Sequence, residues 1–173
     1  RRFRWKTYPV ATSDILAHLL HEHQVGFVDR AVKATYDVRG ALAKGDAKAV
    51  IAKHADILTR YLLFADEVQL PSGGVEGDPA LKAHFLKNAR RTKQGVSLRE
   101  FDLRTHLFKY RCSYMVHSVA FSGLPDPLKG QVLINLRDAL DPSKNHQVSS
   151  HLPIIEKKAI NLVLVSTLAK YPN

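Results

Sequence analysis

The chain has 173 residues, 45% of them hydrophobic and 24% charged, with 26 Lys+Arg against 16 Asp+Glu and a formal net charge of +10. Such a length and apolar fraction fit one ordinary globular core and exclude a disordered chain, while nine Gly and eight Pro without period exclude a collagen-like one. The lone Cys112 excludes an internal disulfide framework, and the cationic surplus favours acidic proteins, nucleic acid or anionic surfaces as partners.

Apolar residues recur mainly at three and four positions, which predicts an all-α chain, organised over residues 1–173 as a single-domain bundle of about six helices. Residues 1–11 form a basic, aromatic N-terminal arm in which Arg1, Arg2, Arg4, Trp5 and Lys6 offer phosphate or carboxylate contacts and one stacking surface. Thr12, Ser13 or Asp14 then supplies a cap for a first helix reaching Ala43, and a second helix is expected from about Ala47 to Glu67. The Pro- and Gly-rich stretch 70–78 must be a loop. Asp78-Pro79 is a helix entrance, since the carboxylate accepts from orphan amides and proline fits the first helical position. The helix it opens should end before Gly95.

Ser97 and Glu100 have the spacing of a capping box, which predicts a fourth, central helix over residues 97–121. On that helix Phe101, Phe108, Cys112, Met115 and Val119 would share one side, and Leu103, Leu107, Tyr114 and Phe121 another. Between them would run a polar stripe of Asp102, His106, Tyr110, Ser113 and His117. Two readings of it are open: His106, Tyr110, Ser113 and His117 line a ligand or cofactor pocket, or each polar tip meets a partner between packed helices. Arg104 and Arg111 share an edge and could grip a carboxylate or phosphate. Asp126-Pro127 repeats the entrance device for a fifth helix ending near Asp141-Pro142, and a sixth is expected from Leu152 to Lys170. No apolar run is long enough for a transmembrane segment.

On the first helix, Asp14, His18, His21 and Glu22 share a face and could bind a divalent metal, or one His could ligate haem iron; local charge pairing on a solvated face is the alternative. His23 falls on the apolar side and reads as a core histidine with a hydrogen bond. Several catalytic signatures fail. His21-Glu22-His23-Gln24-Val25 places valine where a zinc protease needs its second histidine, and there is no covalent c-type haem motif, Glu-x-x-His pair, phosphate-binding loop or nucleophile elbow. Lys87, Arg90, Arg91 and Lys93 form a second basic group, with Arg90 and Arg91 the anion-binding candidates.

The run from Ser97 through Phe121 to Leu124-Pro125, together with Arg4-Trp5, Tyr8-Pro9 and Leu62-Leu63-Phe64-Ala65-Asp66-Glu67 before Leu70-Pro71, resembles a helical module of bacterial exported proteins that carries no established activity. The resemblance implies the C-terminal module of a larger envelope protein, located in the periplasm or exported, whose partner is another protein or the upstream part of its own chain. The function expected is therefore a non-catalytic interaction or accessory module presenting a basic surface to an acidic partner. A haem- or metal-associated redox protein and a nucleic-acid or acidic-polymer binder are the competing expectations.

Overall fold

The computed structural model describes residues 14–172, so the arm with Arg1, Arg2, Arg4, Trp5 and Lys6 lies outside the described residues. The chain is all-α, with six α-helices among the described residues: α1 (Ile15–Ala43), α2 (Lys48–Leu62), α3 (Pro79–Lys87), α4 (Val119–Ser122), α5 (Asp126–Leu140) and α6 (Ile154–Thr167). Two helix starts follow the local chemistry expected of them. Asp14 accepts from Leu16 N at 2.8 Å, and Asp78 accepts from Leu81 N at 2.8 Å with Pro79 at the first position of α3. Asp14 also accepts from Asp78 N at 2.7 Å, so one carboxylate joins the two helix starts. At α5 the expected device differs: Pro125 occupies the cap position, and Asp126 lies inside the helix in an ion pair with Lys129.

Helices α1 and α2 run antiparallel, Tyr61 meeting His23 and His54 meeting Asp37, and α2 packs against both α1 and α5, with α6 against α5. Leu16, Phe27, Ala34 and Val38 from α1 meet Ala55, Leu58 and Leu62 from α2 in one core, which Leu128, Leu136 and Ile160 extend through α5 and α6. Helix α2 stops at Leu62, earlier than the expected Glu67, because residues 63–66 turn and Phe64 adopts a left-handed backbone with φ 53°. Among the described residues no helix is long and apolar enough to cross a membrane.

The expected central helix over 97–121 does not form. Residues 97–113 are irregular, residues 114–117 make a short 3-10 turn, and only α4 at the end of the stretch is α-helical. The reason is local competition. Asp102 Oδ2 accepts from Thr105 N at 2.9 Å, Thr105 Oγ1 at 2.7 Å and His106 N at 2.9 Å, closing a turn in which Leu103 is left-handed at φ 60°. Leu103 N then donates to His106 O and Lys109 N to Glu100 O, both at 2.8 Å, which places Phe101 opposite Phe108 in an isolated antiparallel bridge. A seven-residue spacing, two turns of a helix, is here a pair facing across a hairpin, and the two rings stack at 5.7 Å. The capping pair does form, Ser97 N donating to Glu100 Oε1 at 2.9 Å and Arg99 N to Ser97 Oγ at 3.2 Å, but it closes a turn instead of opening a helix.

The hairpin is held from outside by the glycine-rich loop. Leu70 N donates to Thr105 O at 3.0 Å and Val75 N to Leu103 O at 2.8 Å. Gly74, at φ 74°, is required here, since a Cβ would meet the Leu103 carbonyl. The segment nevertheless threads the interior: Leu107, Phe108, Cys112, Ser113, Tyr114, Met115 and Val116 are all buried. Burial pushes the Cys112 thiol well up, keeping it a neutral apolar filler. Phe108 is ringed by Phe64, Phe85, Phe101 and Tyr114 at 5.5 to 6.1 Å between centroids. Phe108→Ala is therefore expected to lower the unfolding free energy by about 3–5 kcal/mol. A urea transition shifted by less than a third of that would show that the aromatic cluster collapses into the space.

Candidate functional site: a basic hollow and a closed histidine core

Because 97–121 is not one helix, the expected stripe is dispersed. His106 sits in the hairpin turn, its Nδ1 at 2.9 Å from Thr105 Oγ1. Tyr110 is half-buried with the Lys109 ammonium over its ring. Ser113 is sealed in the core, and His117 lies against α6. The four do not converge on one pocket.

Ser113 instead meets His23, the core histidine that the sequence expects to hold a hydrogen bond, and supplies that partner. His23 Nε2 lies 2.7 Å from Ser113 Oγ, and Ser113 Oγ also accepts from Met115 N at 3.1 Å as the cap of the 3-10 turn. The His23 ring is parallel to Tyr61 and Phe64, at 5.4 and 4.9 Å. Burial lowers its pKa to about 4, so the ring is neutral at ordinary pH. The pair has the separation of a base and a nucleophile, but Ser113 is 0% exposed, and its oxygen is fixed by the backbone amide it caps. It ties α1 to the segment before α4.

The metal face fares similarly. Among the described residues no three His, Cys, Asp or Glu side chains converge to hold a metal ion. Asp14 is engaged with Leu16 N and Asp78 N, and those bonds hold its carboxyl below the usual range; His18, His21 and Glu22 are exposed on α1. Of the other expected cations, Arg111 grips Glu156 from α6, and Arg91 turns to the carbonyl of Gly95 in its own loop at 2.9 Å.

Arg90 is different. Its Nη1 donates to Thr167 O at 3.3 Å, at the carboxyl end of α6, and there it rims a hollow of about 290 Å³ together with Lys129 and Lys170. Val116, Phe121, Leu133 and Leu168 form its apolar floor. Lys129 is steadied by Ser122 O at 3.1 Å and Asp126 at 2.9 Å. His117 closes one wall. Thr167 donates its hydroxyl proton to Val163 O at 2.6 Å, so its oxygen accepts from His117 Nε2–H at 2.8 Å. Desolvation first, then Arg90 and Arg99, depress the His117 pKa to about 4, which leaves the hollow's positive potential to Arg90 and Lys170, with Lys129 partly offset by its ion pair with Asp126. Sequence reasoning singled out Arg90 but neither Lys129 nor Lys170, which stand about 40 and 80 residues away and meet it only through the packing of α5 and α6.

A second cavity, of about 430 Å³, opens between α1 and α2 beside His23, with Tyr61, Phe64, Arg30, Arg60 and Glu67 on its walls. Tyr61 donates to His23 O at 2.9 Å, and Arg60 pairs with Asp66 at 2.6 Å. No family model matches the chain, and neither a curated protein nor a solved structure matches it.

Proposed function

We propose that the chain is a non-catalytic interaction module that docks an acidic polypeptide on the hollow rimmed by Arg90, Lys129 and Lys170. The observation carrying this reading is the meeting of three cations from separate parts of the chain around an apolar floor. Cations steer and orient an acidic segment, and an apolar side chain of that segment fills the hollow. The buried floor favours a polypeptide over nucleic acid, which would want an exposed stacking surface. The interior polar pairs support the non-catalytic part, because His23, Ser113 and His117 are bonded inward. Placement in the bacterial envelope, as part of a larger protein, rests on the resemblance of residues 62–71 and 97–125.

The test is a fluorescence anisotropy titration with a labelled peptide of glutamates flanking one leucine, run beside single-stranded oligothymidylate. The peptide should bind with an affinity that falls with salt, and R90Q/K129Q/K170Q should weaken it by about tenfold or more. Equal peptide binding by the triple variant would overturn the assignment of the hollow. Tighter, salt-dependent binding of the oligonucleotide would replace the acidic polypeptide by nucleic acid.

A further inference from the structure

We infer that the outer face of α1, from Glu22 to Arg39, pairs antiparallel with the same face of a second copy of the chain. This surface is separate from the basic hollow and does not rest on the docking proposal.

Helix α1 turns Leu16, Leu20, Phe27, Ala34 and Val38 into the core, so its opposite side should be polar. It is not. Val25, Val32 and Tyr36 follow one another at helical spacing with Val28 beside them, and the four fall within an arc of about 80°. All are exposed, Tyr36 to 75%. Valine in an exposed helix interior loses rotamer freedom, a cost that packing against a neighbour offsets. Val119, at the start of α4, adds an 87% exposed side chain to the same surface. Between the two helices runs a hollow of about 300 Å³, lined by Val32, Thr35 and Tyr36 on one side and Val119, Ala120 and Gly123 on the other.

The flanking charges select the occupant. Glu22 and Asp29 stand along the first half of the stripe, Lys33 and Arg39 along the second, and all four are exposed. Glu22, Asp29 and Arg39 form no ion pair among the described residues, while Lys33 holds the exposed Asp37 at 3.1 Å. The stripe is thus balanced in charge on a chain of net charge +10, which does not single it out for an acidic partner.

It is complementary to itself. Turned end for end about a two-fold axis near residue 30, it brings Asp29 towards Lys33 and Glu22 towards Arg39 of the second copy, each twice by symmetry. The same operation sets Val25 opposite Tyr36 and Val28 opposite Val32, so that Val28 of one copy enters the hollow beside Val119 of the other. A parallel pairing would set acid against acid and base against base. The paired segment is about 26 Å long at 1.5 Å per residue, a small interface that places the dimer among reversible associations.

Sedimentation velocity of the chain from about 5 to 500 μM should show a monomer–dimer equilibrium with a dissociation constant on the order of 10–100 μM. V32E changes an exposed position, and its helix content is checked by circular dichroism. It should weaken self-association about tenfold or more by placing a carboxylate in the apolar contact. R39E sets like charges together and should weaken it about fivefold, whereas E22R/R39E restores opposite charges and should regain most of the loss. R90Q/K129Q/K170Q, altered only at the basic hollow, should associate as the wild type does. A chain that stays monomeric up to about 500 μM, or association unchanged in V32E, would overturn the inference. R39E without effect, or a loss not regained in E22R/R39E, would overturn the antiparallel arrangement.

Discussion

Glu156→Ala should lower the unfolding free energy by about 3 kcal/mol, a large fraction of what a domain of this size possesses. Glu156, in the first turn of α6, receives three bonds from one residue: Arg111 N at 2.7 Å, Nε at 3.1 Å and Nη2 at 2.6 Å. The two side chains are only 15% and 13% exposed. Removing the carboxylate leaves both a shielded guanidinium and a backbone amide without an acceptor, and the loss is therefore the cost of stranding them. R111M/E156L should regain part of the stability by removing the stranded charge, though not the amide's lost partner. Urea curves of the wild type, R111M, E156L and R111M/E156L measure this as a cycle. A loss below about 1 kcal/mol in E156A would mean that water screens the pair as it does an exposed one. The consequence reaches the fold, since this pair anchors the non-helical segment 97–113 to α6.

The second large effect is acid destabilisation through His23. Burial lowers its pKa from the ordinary 6.5 to about 4 in the folded chain. A histidine depressed in this way leaves stability whole above the unfolded pKa, because both states are then neutral. As pH falls below 6.5 the unfolded chain takes up a proton that the folded one refuses, and stability is lost until the folded pKa near 4 is reached. The displacement corresponds to about 3 kcal/mol across that window. His117, also moved to about 4, acts with the same sign over the same window. H23Q should start less stable at neutral pH, having lost the stacked ring, and then fall less steeply. Unfolding free energies measured from neutrality down to the acid end of the window should bring the two proteins together. Parallel curves would show that His23 takes up its proton without opening the core.

The two groups behind these effects differ in how much of them was legible beforehand. His23 could be placed in the core from its position among Leu16, Leu19, Leu20 and Phe27, since helical periodicity is a local property. Its partner could not. Ser113 was assigned to a stripe with His106, Tyr110 and His117 on the premise of a continuous helix, and the stripe disappears with the helix. The error came from an ambiguity of spacing: Phe101 and Phe108 fit two helical turns and a hairpin pair equally well. Asp102 decides between them by accepting from Thr105 and His106, with the Gly74 loop holding the far side. At the basic hollow Arg90 was identifiable as a cation, but charge alone does not reveal which other cations stand beside it.

What the amino-acid order determined by itself was whatever neighbouring residues settle among themselves: the all-α class, a polar cap for α1 among Thr12, Ser13 and Asp14, the Asp78-Pro79 entrance to α3, and the cationic surplus. Those follow from bonds and periodicities spanning a few residues. Only the tertiary structure decided the course of residues 97–113, the inward pairing of His23 with Ser113, and the gathering of Arg90, Lys129 and Lys170. Each depends on groups far apart in the chain, and the energy that selects them comes from desolvation and packing once the helices have met.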